Sequence, residues 1–194
     1  MPPYTVCSVN TGSARRLQAG GRRVLSAIGK QAVAGSVALR VLGLEGDEQA
    51  DLRVHGGRDK AVYAYPAEHY GFWQARRQAM GASLFDKTLP PGFVGENLSL
   101  QGLLETDVWV GDSLHFPDCS LRVTEPRQPC FKFNAVMGYT DAARDMLQQG
   151  CCGFYLAVLR PGSIQAGQAF TLEPGPRALS IAAAFGGKRT PHLR

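Results

Sequence analysis

Apolar and polar residues alternate in short runs along most of this chain, and turn-forming residues separate the runs. Alternation with a period of two is typical of half-buried β-strands, and Gly, Pro or Asp at the end of a run indicates where a strand stops. The chain is therefore predicted to be mainly β, with its strands forming a barrel or a sandwich. The predicted strands cover residues 36–42, 61–65, 97–101, 106–110, 113–116, 120–125, 153–160 and 168–173.

A few helices interrupt this pattern. Pro66 opens a predicted helix that runs to about Met80, because proline is favoured in the first turn of a helix. Large side chains recur in it at helical spacing and are expected to belong to the core rather than to a stacking platform. These residues are Tyr70, Trp73, Arg77 and Met80.

A second helix is predicted from Asp141 to Gln149. Thr140 is its expected N-cap and Gly150 its expected end, since these residue types favour the two ends of a helix. The dipeptide Gly111-Asp112 lies between two alternating runs and predicts a tight hairpin, while Pro161-Gly162 predicts a further turn.

Composition bounds the class of protein. The 194 residues are 44% hydrophobic and 19% charged, which is typical of one globular domain. Five cysteines without a CxxC pair favour neither a disulfide framework nor a tetrahedral zinc site, so reduced thiols and a cytoplasmic location are expected. No signal-peptide pattern and no run of about 18 apolar residues is present, and we expect no association with a membrane.

The net charge of +5 is unevenly distributed. Residues 1–44 carry six basic side chains and no acidic one, residues 174–194 carry four more, and the region between them has a net charge of −5. The basic ends contain no interleaved aromatic residues, and no helix-turn-helix or zinc-finger motif occurs. Solvated basic arms are therefore favoured over nucleic-acid binding, and the Gly-rich stretch 12–35 is predicted to form a hairpin or arm.

Cys130 lies in the run PRQPCFK, between Arg127 and Lys132. Nearby positive charge favours the thiolate, which is the form that binds soft metals or attacks electrophiles. The two prolines favour extended backbone before them, so a rigid loop that presents the sulfur is expected. The alternative is a small apolar residue packed under the loop, because free cysteines are often buried.

Two further motifs offer polar groups. RVHGGRDK places two glycines among cations, which suits an anion such as a phosphate, although a turn with solvated charges is the alternative. It is not a Walker loop, because no GxxxxGK[ST] occurs in the chain. In VGENL, Glu96 and Asn97 lie at the mouth of a predicted strand and are able to hydrogen-bond a polar ring, although the motif by itself favours ordinary turn chemistry at a strand start.

Taken together and in order, the motifs LGLEGDEQA, RVHGG, YPxEHY, GENL, VGD and PRQPCFK resemble the MOSC domain family, especially its YiiM branch. The resemblance extends from about Gly43 to Glu173. It implies a β-barrel of the MOSC type that binds the molybdenum cofactor (Mo-molybdopterin), with Cys130 as the catalytic residue and molybdenum ligand. At the level of the family, it also implies pyridoxal phosphate binding. The cofactor-binding residues it suggests are Arg53, His55, Gly56, Gly57, Lys60, Glu96, Asn97, Arg127 and Lys132.

The resemblance further implies a function. Relatives in this branch take part in reducing N-hydroxylated bases such as hydroxylaminopurines, with electrons from a separate flavin or iron-sulfur reductase, and Glu96 or His55 is a candidate proton donor. The alternative is a carrier without catalysis, in which Cys130 holds the cofactor or a persulfide for delivery to an acceptor molybdoenzyme. A cofactor-free structural domain is the third hypothesis.

The same resemblance divides the chain into three parts. Residues 1–35 form an N-terminal strand and basic hairpin or arm belonging to the barrel, 36–176 the MOSC core, and 177–194 a short basic tail with a helix over 178–185. YiiM relatives continue into a small helical domain, whereas this sequence ends at Arg194. If that domain helps to dock the electron donor, this chain is expected to bind the cofactor without sharing the full reaction, unless a partner supplies the missing part.

The other cysteines carry weaker signals. Cys151 and Cys152 are adjacent, so a disulfide between them would be strained. They are predicted to begin a buried strand, with a redox role as the alternative. Cys7 and Cys119 have no cationic neighbours and are expected to be packing residues.

Overall fold

The computed structural model describes residues 4–50, 56–83 and 88–187. Within these ranges the chain forms four α-helices, which are α1 (Tyr70–Ala79), α2 (Phe131–Met137), α3 (Ala142–Gln149) and α4 (Ile181–Gly187). The strands are β1 (Tyr4–Thr11), β2 (Arg15–Ala19), β3 (Arg22–Ser26), β4 (Gln31–Ala32), β5 (Val37–Arg40), β6 (Gly43–Leu44), β7 (Val62–Pro66), β8 (Leu98–Gln101), β9 (Ser113–His115), β10 (Ser120–Pro126), β11 (Phe154–Arg160), β12 (Gly162–Ile164) and β13 (Ala169–Glu173).

Seven of these strands close into a barrel in the order β13-β9-β10-β11-β7-β8-β1, and β1 pairs with β13 to complete the ring. Neighbours are antiparallel except β7 and β8, whose register sets Ala64 opposite Leu98. Closure removes the unpaired edges that an open sheet would expose. The prediction of a mainly β, barrel-type fold is confirmed.

The core fills the barrel with apolar side chains and continues under the helices. Trp73 of α1 is fully buried and donates its indole N–H to the hydroxyl of Tyr65 at 2.6 Å. Its ring packs edge-on against Phe133 of α2. The expectation of a core stripe on the first helix therefore holds for Trp73, whereas Met80 at its end is 41% exposed.

Smaller elements flank the barrel. Strands β5, β6 and β12 form a three-stranded sheet, and β2 and β3 form the predicted basic hairpin. This hairpin lies against α2: the Arg22 guanidinium sits 5.2 Å from the centre of the Phe131 ring, and Lys132 Nζ donates to the Leu25 carbonyl at 3.1 Å. The arm expected from the sequence is thus docked beside the residue that follows Cys130.

The predicted strand at 106–110 and the hairpin at Gly111-Asp112 are wrong. Asp112 Oδ2 accepts the Trp109 N–H, and Oδ1 accepts the Gly175 N–H, so this carboxylate organises a turn. Strand β9, which follows, pairs with β10 and β13 instead of with the preceding segment. Val108 is buried, as the alternating pattern indicated, but its backbone is not part of a strand. The Val108 carbonyl accepts the N–H of Ile181 at the start of α4.

The ends of the helices differ in part from prediction. Helix α3 begins at Ala142 after Asp141, so Thr140 is not its N-cap. Instead, the side chain of Asn134 accepts the Ala143 N–H at 2.7 Å. The helix ends at Gly150, which is left-handed with φ +71°, as predicted. Residues 67–69 form a 3₁₀ turn before α1.

The C-terminal segment packs on the barrel up to the end of the described residues. Ile181 and Phe185 of α4 are buried, and Val110 donates its N–H to the Leu179 carbonyl at 3.0 Å. The predicted tail therefore contributes a core helix through Gly187. None of the helices in the described ranges is long and apolar enough to span a bilayer.

Candidate functional site

Cys130 lies at the junction between β10 and α2. Strand β10 ends at Pro126, three residues intervene, and Cys130 is the N-cap residue of α2 with extended backbone (φ −133°, ψ 171°). Its carbonyl accepts the Phe133 N–H at 2.9 Å. The loop predicted before the cysteine is present, and the helix directly after it was not predicted. The thiol itself is half-buried and unpaired.

The thiol lines a pocket that encloses about 90 Å³. Ala50 is part of the pocket wall, and the structure does not describe residues 51–55, which follow it. The volume is therefore that of the space bounded by the described residues. Six segments that are distant in sequence form the pocket. The lining residues include Ser26, Ile28, Lys30, Asp47, Gln49, Lys60, Tyr63, Asn97, Arg127, Cys130, Lys132 and Tyr155.

Arg127 is the most buried cation of this wall, with 4% of its surface exposed. Its guanidinium lies 5.5 Å from the centre of the Tyr63 ring and 5.0 Å from that of Phe133, and Nη1 lies 3.4 Å from Met146 Sδ. Among the described residues it forms no ion pair with a carboxylate. A buried charge without a counter-ion is costly, so the wall holds an uncompensated positive charge.

The tyrosines around Arg127 do not supply the missing negative charge. Burial raises the pKa of Tyr63 and of Tyr155, so both phenols are neutral near pH 7. Burial alone would lower the pKa of Arg127, but the ionised forms of Tyr63, Cys130 and Tyr155 would raise it, and the net direction is upward. The guanidinium therefore remains charged, and the Cys130 thiol is among the ionisable groups that interact with it.

A buried ion pair forms another part of the pocket wall. Lys30 Nζ lies 2.5 Å from Asp47 Oδ1, and both side chains are more than nine-tenths buried. The second oxygen of Asp47 accepts from Asn97 Nδ2 at 2.8 Å, and Asn97 Oδ1 accepts the Tyr63 N–H at 3.0 Å. Because every polar atom is used, this network fixes the wall in one arrangement.

The other two predicted cations at the pocket each contact a protein group. Lys60 Nζ lies 3.5 Å from Glu125 Oε1 and 5.6 Å from the centre of the Tyr155 ring. Lys132 donates to the hairpin, as described above. The structure thus brings Lys60, Asn97, Arg127, Cys130 and Lys132 together at one pocket, as the sequence-based hypothesis requires.

The structure describes only part of the motif RVHGGRDK. Arg53 and His55 lie outside the described residues. Gly56 and Gly57 are near the pocket through Gln49, whose Oε1 accepts the Gly57 N–H at 2.9 Å, but neither glycine lines the pocket. The Gly57 amide therefore supports the pocket residue Gln49.

Glu96 is also away from the pocket, although its neighbours Gly95 and Asn97 line it. Its side chain is fully buried, and Oε1 accepts from the Tyr70 hydroxyl, from Ser99 Oγ at 2.7 Å and from the Gly92 N–H at 2.8 Å. Burial raises the pKa of this carboxyl. Its hydrogen bonds hold the loop before β8, and it does not face a ligand in the pocket.

Cys151 and Cys152 are buried just before β11, in the position predicted for them. Their carbonyls accept from the hydroxyls of Tyr65 at 3.1 Å and Tyr63 at 2.8 Å. Burial raises the pKa of Cys151 to about 12 and raises that of Cys152 strongly as well. Thiolate formation is therefore disfavoured at both, which argues against the redox alternative.

The two remaining cysteines differ from each other. Cys119 is buried, as expected for a packing residue, and burial raises its pKa to about 11. Cys7 is exposed on β1, so its prediction as a packing residue is wrong. Side chains alternate across a strand, and Cys7 falls on the outward side between buried Val6 and Ser8.

Several pocket residues were missed by sequence reasoning. Asp47 and Gln49 stand in the quoted motif LGLEGDEQA, and Lys30 stands in the basic N-terminal region. Tyr63 and Tyr155 belong to strands that read as core. Only the tertiary pairing of Lys30 with Asp47, and of β7 with β11, shows that these residues face one pocket.

The fold and the site together define a β-barrel protein with a thiol in a cation-lined pocket. The family model of the MOSC domain matches residues 51–171. This range covers more than half of the chain and contains most of the barrel and Cys130. The chain belongs to the MOSC domain family.

Relatives of the chain agree with this assignment. It is 36% identical to YflK, an uncharacterized protein of Bacillus subtilis, over 92% of this chain and 77% of that protein. It is 44% identical to the protein YiiM of Escherichia coli over 73% of this chain and 61% of YiiM. A protein named reductase from Gibberella moniliformis is 33% identical over 90% of this chain, which spans 30% of that protein.

Solved structures show the same barrel. The crystal structure of YiiM from Geobacillus stearothermophilus superposes with a TM-score of 0.74 at 34% identity, over 94% of this chain and 82% of that one. YiiM from Escherichia coli gives a TM-score of 0.66 at 32% identity, over 88% and 73% of the two chains. The resemblance to the YiiM branch is therefore confirmed.

Proposed function

We propose that this chain holds the molybdenum cofactor in the Cys130 pocket and reduces N-hydroxylated small molecules, with electrons from a separate reductase. The observation that carries the proposal is Arg127: a buried cation without a carboxylate partner lies in the same wall as a half-buried thiol. A ligand that brings both a soft metal and an anionic group would satisfy both residues.

The residues present fit such a ligand. Molybdenum in its dithiolene form accepts a soft thiolate, which Cys130 offers. No group of three or more His, Cys, Asp or Glu side chains forms a metal cage in the described part of the chain. Arg127, Lys60 and Lys132 would face the phosphate, because guanidinium and ammonium groups form strong charge-assisted hydrogen bonds with it.

The cofactor, when bound, supplies two-electron chemistry at the N–O bond, and the protein supplies binding and orientation. Reduction of an N-hydroxyl group to an amine and water consumes two electrons and two protons. Lys30 Nζ and Asp47 Oδ1, which form an ion pair, belong to the described wall of the pocket. Glu96, a candidate from the sequence, does not line the pocket and is bonded to Tyr70, so we assign it no role as proton donor.

The relatives support the direction of this proposal. The chain belongs to the MOSC family, is similar to YiiM, and is similar to part of a protein named reductase. None of these names specifies a substrate. The N-hydroxylated substrate, the flavin or iron-sulfur donor and the cytoplasmic location therefore belong to the proposal.

The first test measures molybdenum and pterin in protein produced anaerobically in a host that makes the cofactor. Wild type is expected to contain near-stoichiometric metal, and Cys130→Ser to contain almost none. Cys7→Ser is the matched control, because its thiol is exposed and lies outside the pocket wall. Folded wild type without metal and pterin would refute the proposal.

Turnover separates reduction from carriage of the cofactor. Loaded wild type that converts a hydroxylaminopurine to the amine with a chemical reductant would establish the reductase. Loaded protein that releases its cofactor to a cofactor-free molybdoenzyme, and shows no turnover, would establish the carrier instead.

A further inference from the structure

The hairpin of β2 and β3 has one face against the protein and one face in solvent, and its register separates the two. Residues paired across an antiparallel ladder share a face, and every second residue along a strand returns to it. Ala19 and Ser26 are buried and mark the inward face. The outward face consists of Arg16, Gln18, Arg23 and Leu25, all of them exposed.

The hairpin that carries this outward face adjoins the Cys130 pocket through its inward side. The chain that leaves β3 lines the pocket with Ser26, Ala27 and Ile28. Lys132, two residues after the thiol, donates to the carbonyl of Leu25. A protein seated on the outward face would therefore be separated from the pocket by the thickness of the hairpin.

The chemistry of the face is that of a binding surface. Leu25 is 54% exposed although it is apolar. Arg16 and Arg23 flank Leu25 and form no ion pair with a carboxylate among the described residues. Apolar residues with arginine around them are typical of protein interfaces. Residues 1–44 contain no acid, so an acidic partner would meet no repulsion from this segment.

We propose that the outward face of the β2–β3 hairpin docks the acidic protein that delivers electrons to the pocket. The inference rests on the function proposed above, since the reduction needs two electrons and two protons for each N–O bond. The donor is a reduced iron-sulfur or flavin protein, which is oxidised as the hydroxylamine becomes amine and water. Attraction between the arginines and its carboxylates speeds association and orients the donor.

Two other occupants suit the face less well. A second copy of the chain would bring arginine face to arginine face, and like charges repel. Nucleic acid is bound through cations with stacking aromatic rings or base-edge contacts. The outward face has no aromatic residue and presents Leu25 beside its arginines.

The test uses the cofactor-free protein and an acidic [2Fe–2S] ferredoxin as the probe, with affinity measured by calorimetry at low and moderate salt. Wild type should bind more weakly as salt rises, because exposed charges are screened. The double variant Arg16→Glu/Arg23→Glu should bind about tenfold or more weakly than wild type. The control Arg122→Glu/Arg160→Glu carries the same charge change at exposed sites outside the hairpin and should bind almost as wild type does. An equal loss of affinity in both double variants would mean that only net charge matters and would overturn the proposal. Equal affinity of Arg16→Glu/Arg23→Glu and wild type would overturn it as well.

Turnover distinguishes failure of docking from failure of the proposed function. Reduced methyl viologen is small and needs no docking surface, so cofactor-loaded Arg16→Glu/Arg23→Glu should reduce the hydroxylamine as fast as wild type with viologen, and more slowly with ferredoxin. Absence of turnover with viologen in loaded wild type would refute the proposed function, while the ferredoxin affinities would still decide the docking surface. Tight binding of a labelled single-stranded DNA that is lost in Arg16→Glu/Arg23→Glu, without ferredoxin binding, would assign the face to nucleic acid and overturn the inference.

Discussion

Two cysteine sites on the same barrel differ in what surrounds the sulfur. Cys130 is half-buried in a wall with Arg127, Lys60 and Lys132. Cys151 and Cys152 are instead buried just before β11, and their carbonyls accept from tyrosine hydroxyls. The first site offers a thiol to a ligand, and the second uses its backbone to hold the barrel. Residue type is the same in both, so position relative to the barrel decides the chemistry.

Thiol reactivity gives the largest expected difference between the two sites. In native protein at pH 8, Cys130 and the exposed Cys7 should react with a disulfide reagent, while Cys119, Cys151 and Cys152 should not. With a pKa of about 12, only about one Cys151 in ten thousand is a thiolate at pH 8. We therefore expect reaction rates at least about a thousandfold apart.

The count of reactive thiols checks this prediction. Cys130→Ser should lose one of the two fast thiols, and denatured wild type should show all five. Fast labelling of Cys151 or Cys152 in the folded protein, located by mass spectrometry, would contradict the distinction between the sites.

A glycine pair tests the structural role of the buried site. A Cβ at Gly153 (φ +63°) would clash with the Ala64 carbonyl oxygen and approach the rings of Tyr63 and Tyr65 to 2.8 Å. Gly153→Ala should lower the free energy of unfolding by at least about 3 kcal/mol, measured by urea denaturation. Gly150→Ala is the control, since φ is similarly positive but the space around it is open, and should cost about 1 kcal/mol. Equal costs would show that close packing at Gly153 is unimportant.

At the pocket, Arg127→Leu should separate binding from stability. Removing the unpaired buried charge should stabilise the fold, whereas losing the contacts with the aromatic rings should destabilise it. The free energy of unfolding of the cofactor-free variant should therefore lie within about 1 kcal/mol of the wild-type value. Retained pterin should fall about tenfold or more, because the phosphate loses its buried cation. Arg122→Leu, at an exposed site outside the pocket, should change neither quantity. Severe destabilisation without loss of pterin would assign Arg127 to the core alone.

The smallest effect concerns Glu96, the buried neighbour of the pocket residue Asn97. Burial raises its pKa above the ordinary 4.5, so the folded state binds the proton more tightly than the unfolded state. This contribution to stability is fully present below pH 4.5 and is lost as the pH rises through the folded-state pKa. The free energy of unfolding of wild type minus that of Glu96→Gln should therefore fall between pH 4 and pH 7. A difference that rises with pH would mean that the carboxylate is stabilised in the fold.

Local pattern predicted much of the fold. Alternation located β5, β7, β8, β9, β10, β11 and β13, because half-buried strands need one apolar face. It failed at 106–110, where Asp112 and α4 bond the backbone instead, and it missed α2, whose seven residues follow a proline-rich loop. Short elements of this kind are determined by their neighbours in space and leave little periodicity in the sequence.

The sequence by itself determined the chemical types at the site: a cysteine between cations, a Gly-Gly loop, and the ordered motifs that resemble the MOSC family. Tertiary structure decided which of these residues meet. It buried Arg127 between rings without a carboxylate, paired Lys30 with Asp47, and turned Glu96 into the interior while Asn97 faces the pocket. The physical reason is that burial and ion pairing depend on which strands and loops pack together, and these contacts join residues far apart in the chain.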